Sequence, residues 1–198
     1  MLIVISNPTP VADEATIINA LFNEGLEVLH VRKPSASVIE LKVLIQKIHS
    51  KYHHQLALHQ HHKVAVDFGI NRLHFTEVKR HAMKEGALME LKDNHTILST
   101  SIHQIESYKT LSASFDYTFF GPVFNSISKQ GYNSILSENF VLPIQLNHPK
   151  TIAIGGINAS NIQQVKRMQF NGVAVLGTIW QQHNESIQQF KTIQKIWY

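Results

Sequence analysis

Short runs of β-branched residues and leucine alternate along this chain with longer stretches whose apolar residues recur every three or four positions. The short runs predict strands over 2–6, 27–31, 55–58, 72–75, 96–99, 117–119, 151–154 and 172–175. The longer stretches predict helices between most of them. Over 15–23 the apolar positions are Ile17, Ile18, Leu21 and Phe22, with Gly25 just past the end as a stop signal. Over 38–49 they are Val38, Leu41, Leu44, Ile45 and Ile48. Asn158-Ala-Ser160 is placed to cap a helix over 161–169, and a last helix over 185–196 closes the chain. Segments 79–95 and 125–148 show no clear period and read as short helices or loops.

Strand–helix alternation of this kind belongs to the α/β class with a parallel sheet. Eight strands predict a compact (β/α)8 TIM barrel, a single domain over 1–198, although about 250 residues is more usual. An open doubly wound sheet competes, but it would place a glycine-rich turn after the first strand. Ser6-Asn7-Pro8-Thr9 contains no glycine, which favours the barrel.

Composition narrows the context. No apolar stretch approaches the ~20 residues of a membrane span, and the first residues lack the basic flank of a secretory signal. A cytoplasmic location is the expectation, with no membrane partner. Cysteine is absent, which removes disulfides and thiolate metal sites. The net charge is +4, but the lysines and arginines are scattered, so no nucleic-acid partner is expected. Trp180 and Trp197 read as packing or interface residues, and an apolar face around Trp180 would suit a homodimer.

In a barrel, chemistry gathers where the strands end. Gly155-Gly156 after the seventh strand and Gly177-Thr178 after the eighth form a candidate phosphate cup. The glycines let backbone N–H groups approach an anion closely, and a short helix N-terminus adds its positive end. After the sixth strand, Ser126, Ser128 and Lys129 form a candidate anion-binding loop. After the fifth, Ser101 and His103 stand together, and a histidine there is suited to shuttle a proton. Arg32 and Lys33 supply cations at the end of the second strand. His59, His61 and His62 read as a solvated His-rich loop rather than a metal site, and no metal ligands are assigned. His74 is either a pocket residue or a packed barrel residue, and His53-His54 carries no functional argument.

Taken together and in order, these elements resemble the thiamin-phosphate synthase and thiazole tautomerase (TenI-like) family of short (β/α)8 barrels. The resemblance runs over nearly the whole chain. It rests on Gly121-Pro122-Val123-Phe124 with Ser126-Ile-Ser128-Lys129, on Ala153-Ile-Gly155-Gly156-Ile157, on Gly172-Val-Ala-Val175, on Val31-Arg32-Lys33 and on Ser101-Ile-His103-x-x-Glu106. It implies a small phosphorylated thiazole as the bound metabolite.

The departures bear on which branch is implied. The family's synthases hold Mg²⁺ with carboxylates, one in an Asn-Asp pair after strand three and one after a His-x-Gly-Gln run following strand four. This chain has His59-Gln60 at the first place and His74-Phe75-Thr76-Glu77-Val78-Lys79 at the second. A neutral amide and an ammonium are poor partners for a hard cation, although Glu77 is near enough to substitute. The expectation is therefore a thiazole tautomerase without cofactor, aromatising carboxythiazole phosphate by proton transfer through His103. In that reading Arg32, Lys33 or Lys129 receives the substrate carboxylate. The alternatives are a Mg²⁺-dependent thiamin-phosphate synthase and a non-catalytic phosphate-binding regulator.

Overall fold

A computed structural model describes residues 1–125, 136, 140–143 and 148–198. Its strands are β1 (Leu2–Ile5), β2 (Val28–Val31), β3 (Leu56–Leu58), β4 (Arg72–Phe75), β5 (Ile97–Ile102), β6 (Tyr117–Phe120), β7 (Lys150–Ile154) and β8 (Gly172–Val175). Each pairs in parallel with its neighbours in chain order, and β8 closes on β1 through Ile3↔Ala174. The predicted barrel is therefore observed. Helices between the strands are α1 (Glu14–Asn23), α2 (Val38–Gln46), α3 (Val64–Asp67), α4 (Glu77–His81), α5 (Glu85–Asp93), α6 (Ile105–Lys109), α7 (Ile162–Arg167), α8 (Gly177–Trp180) and α9 (Ser186–Trp197). No described helix is long and apolar enough to cross a membrane.

Successive side chains of a strand point to opposite faces, so each strand serves two cores. Leu29, Val31, Leu56, Leu58, Leu98 and Val175 pack outward against the helices. Ile3, Ile5, Val28, Ala57, Tyr117, Phe119, Ile152 and Ala174 pack inward and fill the barrel. This alternation fixes which strand-end residues reach the mouth of the barrel.

Several boundaries differ from expectation. The helix predicted over 38–49 stops at Gln46 because Asn19 ends it from outside. The Asn19 amide donates to the Lys47 carbonyl at 3.0 Å and accepts from the His49 N–H at 2.9 Å. His53 strengthens that stop, its Nε2–H lying 3.0 Å from the Ile48 carbonyl. The start of α2 follows local chemistry: Ser37 accepts from the Glu40 N–H at 3.2 Å, and Glu40 accepts from the Ser37 N–H at 2.7 Å. Those bonds hold the Glu40 carboxyl below its ordinary range. The helix predicted over 161–169 is shorter, Ile162–Arg167, with one residue lost at its start and two at its end, where Gln169 takes a left-handed φ of 63°. Asn158 caps no helix there; its Oδ1 accepts from the Ser160 N–H at 2.8 Å in a local turn.

β5 runs past the predicted 96–99 to Ile102 because both neighbours continue to pair with it, through Phe75↔Thr100 and Ile102↔Phe120. Ser101 thus sits on a strand rather than in a loop. Trp180 is buried and donates its Nε1–H to the Ile5 carbonyl at 2.7 Å, so it anchors α8 to β1 and offers no dimer face.

Candidate active site

Strand alternation carries Arg32, His59, His74, Ser99, Ser101 and His103 inward toward the mouth, each two residues from another inward position. It carries Lys33 and Gln60 outward. Lys33 is buried, with its ammonium 2.6 Å from Glu14 of α1 and 3.0 Å from the Thr9 carbonyl. That geometry corrects the expectation that Lys33 receives a substrate carboxylate, because its donors are committed to the protein. Burial pushes the Glu14 carboxyl up, and Lys33 pulls it back. Arg32 is half-buried, makes no ion pair among the described residues, and its charge reaches both His59 and His74.

His103, at the end of β5, is exposed and fixed in orientation. Its Nδ1 lies 2.7 Å from the Gly121 carbonyl, which can only accept. Nδ1 therefore carries the proton, and the neutral ring keeps a bare Nε2.

Gly155 and Gly156 have φ values of 100° and 64°. A Cβ on Gly156 would stand 2.3 Å from the Asn125 carbonyl oxygen, and one on Gly155 would stand 2.8 Å from Pro122. Both glycines are thus required for the loop after β6 to lie across the loop after β7, a structural reason independent of any anion. Val123 N–H donates to the Ile154 carbonyl at 2.9 Å and Phe124 N–H to that of Gly155 at 3.1 Å. Thr178 ties the loop after β8 to the same place by donating its hydroxyl to the Ile157 carbonyl at 2.5 Å. That proton is unavailable to a ligand, and α8, with four residues, adds little dipole. What remains for an anion is the backbone N–H groups of the two adjoining loops. Ser126, Ser128 and Lys129 lie outside the described residues.

Sequence reasoning missed the interior beneath this mouth. His30, His59 and His74 are buried together, so His59 is not part of a solvated loop. His30 Nδ1 contacts His59 Nε2 at 2.9 Å, and His30 Nε2 contacts the Tyr117 hydroxyl at 2.7 Å. His74 stands between two hydroxyls, Nδ1 at 3.0 Å from Ser99 and Nε2 at 3.2 Å from Ser101. Burial first, then neighbouring cations and imidazoles, push all three rings well below the usual histidine range, His74 to about 3. The same burial raises Tyr117 to about 12. His61 and His62 instead brace loops, donating from Nε2 to the carbonyls of Ala36 at 2.8 Å and His74 at 3.1 Å.

Three neutral imidazoles with ligand atoms within 4.8 Å of one another invite comparison with a transition-metal site. The geometry argues against one. The His59 and His74 rings are stacked, centroids 4.0 Å apart at 25°, so their in-plane lone pairs do not converge on one ion. Arg32 and Lys79 add positive charge to the surroundings. Magnesium fares no better at the places where the resemblance puts its ligands. The Gln60 amide donates to the Lys33 carbonyl, Glu77 faces Arg80 at 3.3 Å, and Lys79 is a cation. The described residues do not fit Mg²⁺.

Known proteins bear on this barrel in three ways. The profile of the thiamine monophosphate synthase family (TMP-TENI) matches residues 1–179. Thiamine-phosphate synthase of Histophilus somni is 27% identical over 150 residues, covering 73% of this chain and 66% of that protein. That of Staphylococcus saprophyticus is 32% identical over 93 residues, covering 46% and 44%. The chain thus matches less than two thirds of the length of either relative. Among solved structures, thiamine phosphate pyrophosphorylase of Bacteroides thetaiotaomicron superposes with a TM-score of 0.74 at 27% identity, covering 98% and 96% of the two chains. The enzyme of the same name from Pyrococcus furiosus gives 0.75 at 19%, a likeness of fold. These names back the synthase alternative better than the expected tautomerase. With the closed barrel and the match across residues 1–179, the chain belongs to the thiamine monophosphate synthase family.

Proposed function

We propose that this thiamin-biosynthesis barrel binds a phosphorylated thiazole and aromatises it by moving one proton through His103, without a metal. The observation that carries the reading is the orientation of His103, whose Nδ1–H is fixed on the Gly121 carbonyl at 2.7 Å. Nε2 then faces away from that bond as a ready base. Backbone N–H groups of Gly155, Gly156, Gly177 and Thr178 hold the phosphate, and Arg32 receives the carboxylate. With both ends held, the ring is fixed against the base. Nε2 takes a proton from one ring-system carbon, the C–H electron pair enters the ring, and the imidazolium returns the proton to a second carbon. No proton is gained or lost overall. The Gly121 carbonyl stabilises the imidazolium while it exists.

A second reading, the coupling of a pyrimidine diphosphate to thiazole phosphate, is favoured by the names of the relatives. It calls for Mg²⁺ on the leaving pyrophosphate, which the described residues do not fit. One assay pair separates the two. Thiamin phosphate formation is followed with excess Mg²⁺ beside an authentic synthase, and aromatisation of the thiazole tautomer is followed without metal. Aromatisation alone supports the proposal, whereas turnover near the control establishes the synthase. Phosphate binding with neither reaction identifies a non-catalytic regulator. In an active tautomerase, His103→Gln should lose about 10²–10⁴-fold in rate while still binding the thiazole phosphate. Full activity in that variant would remove His103 from the mechanism.

A further inference from the structure

Beneath the mouth, side chains of four neighbouring strands stand in one hydrogen-bonded line. Its β5 end is Ser101, 3.2 Å from His74 Nε2, and Ser99 lies 3.0 Å from His74 Nδ1. Ser99 hydrogen-bonds in turn to the Tyr117 phenol, which lies 2.7 Å from His30 Nε2. His30 Nδ1 lies 2.9 Å from His59 Nε2, the last contact of the line. Every member is a hydroxyl or a neutral imidazole, which donates one proton and accepts another. Such a line has two complete proton orders. In one, each group donates toward Ser101, all three imidazoles carry their proton on Nε2, and His59 presents a bare Nδ1. In the other, each group donates toward His59, and all three carry it on Nδ1. The side contacts do not choose between them. Arg72 can only donate and so serves the Tyr117 oxygen in either order, and the Leu73 carbonyl is 3.4 Å from Ser99. Ser101 is half-buried, and His59 keeps 8% exposure with no partner on Nδ1 among the described residues, so both ends reach the mouth.

We propose that Ser101, His74, Ser99, Tyr117, His30 and His59 form a proton relay with both ends on the same mouth. A proton given up at one edge of a bound heterocycle then reaches its other edge through a neutral interior. When a proton arrives at His59 Nδ1, the His59 Nε2–H bond breaks as His30 Nδ1–H forms. The same exchange repeats from His30 Nε2 to Tyr117, Tyr117 to Ser99, Ser99 to His74 Nδ1 and His74 Nε2 to Ser101. The former Ser101 proton leaves to the ligand. One proton enters, one leaves, no co-reactant is needed, and the line is left in its opposite order for the return passage. Burial keeps the imidazoles from gaining a proton and the phenol from losing one, which favours passage as a set over a stranded ion. The ligand class is a heterocycle with an N–H or O–H at one edge and a bare nitrogen or oxygen at the other, exchanged between tautomers. The relay rests on the mouth being the ligand site and leaves carbon-bound protons to His103.

Two arms test it. The first needs no ligand. The chain is labelled with ¹⁵N-histidine, each ring is assigned by its loss in His30→Gln, His59→Gln or His74→Gln, and the fraction protonated on Nδ1 is read from the averaged shifts. The expected fraction is the same at all three rings and changes in step with temperature. Tyr117→Phe and Ser99→Ala each cut the line, from different strands, so one remains if the other fails to fold. In either, His30 and His59 should still agree while His74 departs from them. Unequal fractions in the parent chain, or an agreement that survives both cuts, overturns the relay. The second arm adds saturating thiazole phosphate, its binding followed by the ³¹P resonance. The shared fraction should move at all three rings in the parent and on only one side of the cut in Tyr117→Phe. A shift confined to one ring of the parent, or bound ligand with no shift at any, overturns the relay. If thiazole phosphate does not bind, the proposed function fails, while the ligand-free fractions still decide the relay.

Discussion

The two halves of the barrel interior are built from opposite chemistry. From β2 to β5 the inward positions hold His30, His59, His74, Ser99 and Ser101 beside Val28 and Ala57, with contacts of 2.9–3.2 Å linking His30 to His59 and His74 to both serines. From β6 around to β1 they hold Phe119, Ile152, Ala174, Ile3 and Ile5, with Tyr117 as the bridge between the halves. Neither half would work against a copy of itself. An all-imidazole interior would fill with water and titrate, while an all-aliphatic one would have nothing to offer a ligand. The apolar half removes water from the polar half, and the polar half, satisfied internally, tolerates that removal. Burial of the histidines is thus a product of the other side of the barrel, and this can be broken experimentally.

The largest effect should come from Phe119→Ala. Phe119 lies 4.7 Å from the His30 ring and 5.2 Å from that of His74, and so it is the face that the apolar half presents to the trio. Its loss should cost about 3–5 kcal/mol in urea unfolding, as for other large core truncations. The sharper readout is histidine titration by NMR. With water in the cavity, His30 and His74 should take up protons closer to the usual value. If stability drops and the titration does not move, the histidines are kept neutral by their own half, and the comparison fails.

Beside that single substitution stands the response to acid, which adds up over the three histidines. Above the ordinary histidine value of 6.5, His74 is neutral in both the folded and unfolded chain and adds nothing to the pH dependence. As pH falls below 6.5, the unfolded chain takes up a proton that the folded chain refuses down to about 3. Stability should therefore decline through that window, by about 1.4 kcal/mol per pH unit for each histidine so held. His30 and His59, depressed by the same burial, add to the slope. Urea midpoints from neutrality down to about pH 5 measure it. A flat profile would mean that the trio protonates in the folded state.

How much of this was legible follows from what kind of information each part needs. The barrel was readable because each of the eight strands carries apolar or β-branched residues in a short run, a local signal. The ends of helices were not, since Asn19 closes α2 from a different element. In the site, His103, Arg32 and the glycines stood out because strand ends are where barrels place chemistry. His30 was passed over as one polar residue inside an apolar run, yet parity alone would have found it. Val28 is inward, so His30 and Arg32 are inward, and Lys33 must face the helices. The same count separates His59 from Gln60. That the three histidines meet depends on the closure and stagger of neighbouring strands, which no single strand encodes.

The smallest effect is the one that isolates the interior from overall stability. Ser37→Ala removes the cap of α2 outside the barrel and should cost about 1 kcal/mol. The Glu40 carboxyl loses the Ser37 hydroxyl but keeps the backbone N–H at that position, so it should return only part of the way toward its ordinary range. Neither half of the interior is touched, so the histidine titration should stay where it is in the parent chain. A shift of the trio in Ser37→Ala would make its neutrality a reflection of how often the whole barrel opens. Phe119→Ala would then report global loosening rather than local wetting. An unmoved trio in the one variant and a shifted trio in the other assigns the dryness of the histidines to the apolar wall opposite them.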